Sequence, residues 1–379
     1  MKHVLFVASV YKHFYAFHIP YIQILRDNGC RVDLIAARDD REIVNADNCY
    51  DWELTRSPFN FKNIRAYQKL KKLIESENYD LIHCHTATAS VITRLAARTM
   101  RKKNGTKVLY TAHGFHFFKG APQLFWLIYY PVEKFLSRFT DGIVLVNAED
   151  YNCVLTSGFK NKKTYFINGI GINTKRFVNA DIEHGKKNRV EEGYNEKQFL
   201  MIYVAEFTYG KNHKFLVDAS IVLANKVKDF KILFVGRGVL KNTVQKYTNS
   251  IGANKYIDFL DFRFDLDRLF PMCDVGVSSS RREGMPLSLA EAMLCNLPVI
   301  ATQDRGHREL VIHGETGFLF KQNDLGDFVK YTLDLYENSQ KKIDMGKAAN
   351  VHAQKFRLEK SLKKMADIYE EMLNININI

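Results

Sequence analysis

The chain has 379 residues, more than one hydrophobic core usually serves, so two domains are expected. Its 46% hydrophobic and 26% charged content is that of a soluble globular protein, and no run approaches the roughly 20 apolar residues of a membrane span. The net charge of +13 points to anionic partners. Without an RNP, zinc-finger or helix-turn-helix pattern, a phosphorylated ligand or a membrane surface fits that charge better than nucleic acid.

The opening "KHVLFVASVYKHF" has too short an apolar run for a secretory signal and reads as a first β-strand. Further strands follow at "RVDLIAA", "YDLIHCH", "KVLYTAH", "GIVLVN" and "TYFIN", separated by helical patterns such as "IPYIQILRDNG" and "NIRAYQKLKKLIESEN". A polar segment without apolar periodicity comes next, and the strand pattern restarts at "FLMIYVAEF", continuing through "FKILFVG", "YIDFL", "DVGVSSS" and "LPVIAT". Strands alternating with helices predict an α/β protein with two doubly wound, Rossmann-like domains. The boundaries read as 1–175, a connection over 176–198, a second domain over 199–349, and a C-terminal helix and tail over 350–379 that packs back on the first domain. The terminal "NININI" is expected to fray. Six scattered cysteines without CxxC spacing imply free thiols in a reducing cytoplasm.

Two such domains are expected to face a cleft lined by residues just after each strand. One stretch there is "SRREGMPLSLAEAM". Gly284 admits close backbone approach, Pro286 suits the first helical position, and the free N–H groups of a helix start favour phosphate. Glu283 and Glu291 flank that start. They serve either as a capping acid and an exposed helix residue or as hydrogen-bond acceptors for a sugar-containing ligand, and the buried character of the helix favours the second. Lys211 follows a strand across a turn with Gly210 and is either a solvated lysine or a point charge for a diphosphate. Glu206 in the same turn would repel phosphate. "VGRG" (Gly236 to Gly238) has GxG with Asp258 downstream, but Lys241 stands where a dinucleotide turn has its third glycine, so no nicotinamide site is expected.

His83 and His85 share one strand face. With no acid or cysteine at matching spacing they read as a polar lining, and no metal is expected. His113, at a strand end before Gly114, is the best candidate for contact with a reacting sugar. The aromatic, basic segment "FHFFKGAPQLFWLIYYPVEKFLSRF" is either core or a surface for a headgroup layer or lipid-linked substrate, and Pro122 and Pro131 are expected to break it into pieces.

These residues resemble the retaining, nucleotide-sugar-dependent glycosyltransferases of family 4, with the GT-B fold, in the branch that builds bacterial capsule, exopolysaccharide and lipid-linked oligosaccharides. The E-x7-E segment "EGMPLSLAEAMLCNLPVIAT" is the most specific match; "FHIPYIQIL", "TAHGFHFFKGAP", "YYPVEKFLSRFTD", "NGIGINTKRF" and "HGETGFLF" are similar to further segments. The resemblance implies that Glu283 reads the donor sugar with the backbone of Gly284, Met285, Pro286 and Leu287, that Glu291 binds the ribose, and that Lys211, beside Asn212, neutralises the diphosphate. It also implies that His113 faces the donor sugar near the reacting carbon, and that His85 and His116 belong with the first-domain loop on the acceptor side. The first-domain loop Val10, Tyr11, Lys12 and His13 would close over the diphosphate, and Leu260 to Arg263 would neighbour the base, near Gly236. Glu206 stands where many members carry Arg, a loss that Arg263, Arg282 or Arg305 would offset. The implied enzyme is a metal-independent, retaining hexosyltransferase without cofactor. It would use a nucleotide sugar, expected to be a UDP-sugar, and a polyprenyl-diphosphate-linked acceptor at the inner face of the cell membrane. A GT-B sugar-nucleotide 2-epimerase and a non-catalytic protein gripping anionic lipid or a partner are the alternatives.

Overall fold

The structure, a computed structural model, describes residues 1–38, 46–55, 60–177 and 182–379. Its contacts divide the chain into two units, Met1–Gly171 with Glu359–Ile379, and Ile172–Leu358. The first unit is built on seven strands: β1 (His3–Val10), β2 (Arg31–Ala37), β3 (Asn48–Asp51), β4 (Leu81–His85), β5 (Lys107–Ala112), β6 (Gly142–Leu145) and β7 (Lys163–Phe166). All pairs are parallel, in the order β3-β2-β1-β4-β5-β6-β7. Parallel sheets are covered on both faces, which is why β1 is a nearly continuous apolar run and the residues of β4 are all buried. The strand order reverses between β1 and β4, and the crevice at the carboxyl ends of such a pair is where open α/β sheets take ligands.

The second unit repeats the plan with β8 (Phe199–Val204), β9 (Phe230–Val235), β10 (Ile257–Phe259), β11 (Val275–Ser278), β12 (Val299–Thr302) and β13 (Gly317–Phe320). The order is β10-β9-β8-β11-β12-β13, again all parallel, with its reversal between β8 and β11. The doubly wound α/β architecture thus holds in both units.

Several details differ from the expectations. Strands β3 and β13 are additional, each of four residues at a sheet edge. The segment 176–198, whose residues 178–181 lie outside the described residues, belongs to the second unit and contains the helix Ile182–Glu191. Polar contacts hold that helix instead of an apolar stripe: Arg189 donates to the Met272 carbonyl and to Asp274, and Asn188 to the Arg268 carbonyl. The expected helix from 350 onward is two helices, Ser339–Ala353 and Leu358–Leu373, split by a 3-10 turn. Only the second joins the first unit, where the Tyr369 hydroxyl meets His83 Nδ1 at 2.9 Å and Ser361 donates to the Gly169 carbonyl. The tail is anchored, since Ile377 is buried and its N–H reaches Glu370, while Asn378 and Asn28 exchange two hydrogen bonds. Pro131 does not break its segment either: it sits inside one helix, Gln123–Leu136. One lost backbone bond is outweighed there by packing of Tyr129, Tyr130 and Leu136 and by the ion pair of Glu133 with Arg94.

Candidate active site

In the second unit, the reversal between β8 and β11 collects the strongest candidates. After β8 the chain makes a 3-10 turn, Tyr209–Lys211, and Asn212 adopts a left-handed conformation (φ 51°) that starts the helix His213–Leu223. The Lys211 carbonyl accepts from the Tyr203 hydroxyl at 2.7 Å and from Ser279 at 3.1 Å, and Arg281 N–H closes on the Gly210 carbonyl. This backing fixes the Lys211 ammonium beside the Glu283 carboxylate, with which it forms a direct ion pair. Burial alone would lower the Lys211 ammonium; the Glu283 charge outweighs that and holds it above the ordinary lysine value.

Glu283 sits on the loop between β11 and the helix Leu287–Leu294. Its N–H is taken by Asp304, whose other oxygen caps the next helix through the His307 N–H at 2.9 Å. Burial would raise the Asp304 carboxyl, but His307 and these N–H donors hold it below the usual carboxylate value. Gly306 passes so close that a Cβ there would meet the Glu283 carbonyl oxygen at 2.8 Å. Pro286 is the residue before the helix, not its first member, and its carbonyl accepts from Leu289 and Ala290. Among the described residues nothing accepts from the N–H groups of Gly284, Met285 or Leu287. One turn into the helix, Glu291 has no hydrogen-bond partner among the described residues, and burial pushes its carboxyl up to about 7, with Arg176 opposing and Asp267 reinforcing the shift. Open backbone N–H groups, one cation and the Glu283 carboxylate therefore share the end of one sheet, with Glu291 on the helix that follows.

The other expected donor residues are placed differently. Asn212 is held by Arg281 and Asn323. Gly236 (φ 152°) packs against the Ala205 carbonyl, and Gly238 would bring a Cβ within 2.6 Å of Phe207 N, so the "VGRG" glycines serve loop-on-loop packing. Asp258 is paired with Lys231, which removes the acid a dinucleotide turn needs. Leu260 is partly buried against the core. Arg263 is bound by Asp265 and Glu192, hydrogen bonds that raise its guanidinium further, so it is committed within the fold. Arg305 is buried behind the Glu283 carbonyl, Arg282 is partly exposed, and Glu206 is exposed to solvent.

In the first unit, the reversal between β1 and β4 gathers histidines. The stretch expected as a loop is a helix, Tyr11–Phe17, preceded by Val10 at the end of β1. The reason is apolar spacing: Tyr11 and Phe14 are buried together, and the Tyr11 hydroxyl donates to the Tyr50 carbonyl. Lys12 and His13 lie on the partly exposed side. His13 Nε2 is 3.3 Å from His113 Nε2, which is 3.5 Å from His85 Nδ1, and the ring of His18 lies 3.8 Å from that of His85. Burial lowers His113 to about 4 and pushes His18 and His85 far down, so all three rings are neutral near pH 7. His116 stands apart, stacked on Tyr129 at 4.5 Å. The expectation of no metal rested on spacing along the chain; in the fold, His13, His18, His85 and His113 offer nitrogens that all lie within 4.8 Å of one another.

Sequence reasoning gave Asp304, His307 and Arg281 only a place in the lining after a strand, and gave Tyr203 and His18 no role. Tyr203 and His18 carried a faint signal, a polar group inside an apolar strand or among aromatic residues that must find a partner. Arg281 matters because its Nη2 holds Asn212 next to Lys211, while among the described residues its buried Nε has no partner.

Comparison with known proteins places the chain among glycosyltransferases. A model described as "Glycosyl transferases group 1" matches residues 185–352, and one described as "Glycosyl transferase 4-like" matches residues 3–147. The chain is 38% identical to a protein of Bacillus subtilis named as a glycosyltransferase, EpsD, over 99% of this chain and 98% of that one. It is 26% identical to an Escherichia coli UDP-Gal:α-D-GlcNAc-diphosphoundecaprenol α-1,3-galactosyltransferase, over 82% and 80% of the two chains. Among solved structures, Anabaena HepE in complex with UDP and glucose superposes with a TM-score of 0.76 at 19% identity, covering 98% of this chain and all of that one, a likeness of fold. The chain belongs to the family 4 glycosyltransferases of GT-B fold.

Proposed function

We propose that the protein transfers a hexosyl or N-acetylhexosaminyl group from a UDP-sugar to a polyprenyl-diphosphate-linked saccharide, with retention, in the synthesis of a surface polysaccharide. The observation that carries this reading is the Lys211–Glu283 pair at the end of β8 and β11, beside the free N–H groups of Gly284 to Leu287. As the anomeric C–O bond breaks, the leaving diphosphate oxygen gains charge, and Lys211 with those N–H groups stabilises it without a metal at the diphosphate. The acceptor hydroxyl attacks from the same face, and its proton passes to the departing oxygen. Glu283 accepts hydrogen bonds from the donor sugar, and the unsatisfied carboxylate of Glu291 accepts them from the ribose. His113 contacts the sugar near the reacting carbon. The E. coli relative, named for a diphosphoundecaprenol-linked acceptor, supports the acceptor class.

Work at the membrane surface is supported by the helix Gln123–Leu136, which exposes Leu124, Trp126, Leu127, Val132 and Phe135 beside the exposed cations Lys119 and Arg138. No described helix is long and apolar enough to cross a membrane, and peripheral contact at the cytoplasmic face is the attachment that belongs to this reading. Incubation with UDP-sugars and an undecaprenyl-diphosphate-linked saccharide tests the function. UDP release that depends on the acceptor is expected. Interconversion of sugar epimers, or binding of nucleotide sugar without turnover across the acceptor panel, would replace the transferase with one of the other two activities considered.

A further inference from the structure

We propose that His13, His18, His85 and His113 form a binding site in the first unit for one divalent transition-metal ion of the zinc class. The four residues come from separate elements: the helix Tyr11–Phe17, the residue that ends it, the end of β4, and the residue after β5. His113 Nε2 stands 3.3 Å from His13 Nε2 and 3.5 Å from His85 Nδ1. Nitrogens bound at about 2.0–2.1 Å to a tetrahedral ion lie about 3.4 Å apart, so these separations are two edges of such a site. Hydrogen bonding accounts for them poorly, because a single ring nitrogen has one hydrogen or one lone pair and serves one neighbour well.

Burial gives the second, independent indication. His18 is 1% exposed, and among the described residues neither of its ring nitrogens has a partner; the Nδ1 of fully buried His85 has only the 3.5 Å approach of His113. Buried polar atoms are ordinarily satisfied, and orphaned ones point to a missing ligand. His83 is the internal comparison. It lies on the same strand with its ring 4.1 Å from that of His85, yet Nδ1 meets the Tyr369 hydroxyl at 2.9 Å and Nε2 meets Thr111 at 2.8 Å. One histidine of β4 is thus a satisfied core residue, while the other faces three imidazoles.

Imidazole nitrogens without carboxylates select zinc, cobalt, nickel or copper over magnesium or calcium. His13 and His113 are partly exposed, so water or an anionic oxygen can balance the charge of the ion on that side. With Nε2 on the ion, His113 keeps an Nδ1–H donor for a sugar hydroxyl, which is compatible with the contact proposed above. The diphosphate role of Lys211 belongs to the second unit and does not depend on this ion.

The test uses the full chain without a polyhistidine tag, stripped with EDTA and desalted. Titration with Co²⁺ should give a tetrahedral visible band that saturates at one equivalent and is displaced by one equivalent of Zn²⁺. Competition against a chromophoric chelator should show Zn²⁺ affinity at least tenfold weaker in His18→Gln and in His85→Gln, with His83→Gln retaining the wild-type value. Circular dichroism checks that each variant folds; if a buried one does not, the partly exposed His13→Asn carries the same expectation. Failure of the wild-type chain to take up one equivalent, or wild-type affinity in folded His13, His18 or His85 variants, overturns the proposal.

Discussion

Replacing Glu283 by Gln separates the two jobs assigned to the Lys211–Glu283 pair. In the free protein the Lys211 ammonium is committed to the Glu283 carboxylate, with side chains 30% and 12% exposed. That places the pair between a surface ion pair, worth about 0–1 kcal/mol, and a charged hydrogen bond, worth about 1.5–3 kcal/mol. Taking about 1 kcal/mol as the part a diphosphate must overcome, Glu283→Gln should tighten UDP binding about fivefold, since about 1.4 kcal/mol is tenfold. The same change weakens the acceptor for the sugar hydroxyls, so acceptor-dependent UDP release from a UDP-sugar should fall by about two orders of magnitude. Calorimetry with UDP at fixed ionic strength measures the first effect and single-turnover transfer the second. Equal or weaker UDP affinity in the variant would refute the idea that Glu283 competes with the diphosphate for Lys211.

The remaining expectations concern positioning, protonation, stability and attachment. Gly306→Ala places a methyl against the Glu283 backbone at 2.8–2.9 Å, so the donor KM should rise about tenfold with a stability loss of about 1–3 kcal/mol, read by kinetics and urea unfolding. Glu291 is raised by burial to about 7, against about 4.3 for an unfolded chain, so its cost to folding is absent below about pH 4 and complete above about pH 7; Glu291→Gln should therefore stabilise the protein at pH 8 and not at pH 4. If ribose hydroxyls donate to the ionised form, uridine affinity should also climb as pH rises toward 7 and level off above it, and Glu291→Gln should flatten that profile. Glu133→Ala strands the fully buried Arg94 and should cost about 3–5 kcal/mol by urea unfolding. Leu127→Glu, at an exposed position, should leave the folded state intact and reduce co-flotation with anionic vesicles at least severalfold.

The legible parts of this protein are those whose information is local. Interior strands such as "VLFVAS" and "FLMIYV" are apolar because both sheet faces are covered, and that shows within six residues. Glu283 and Glu291 stood out because a turn, a proline and a buried helix lie between them within nine positions. The helix Ile182–Glu191 was read as a connection because side-chain bonds to distant carbonyls hold it, and such bonds leave no periodicity.

What holds the site in place is non-local. Asp304 fastens the Glu283 N–H across 21 positions, and the Tyr203 hydroxyl meets Ser280 across 77. His13 reaches His113 across 100. A pattern read along the chain ranks a histidine by its sequence neighbours, and by that measure His83 and His85 were equivalent. The sheet separates them: one faces Tyr369 and Thr111, which can satisfy a neutral ring, and the other faces rings that cannot all satisfy one another. Four imidazoles offer a lone pair each, enough for one cation, while among the described residues nothing answers either ring nitrogen of His18 or the Nε2 of His85. That imbalance of donors and acceptors, created only when β1, β4 and β5 come together, makes the first unit's histidines a chemical question that spacing alone could not pose.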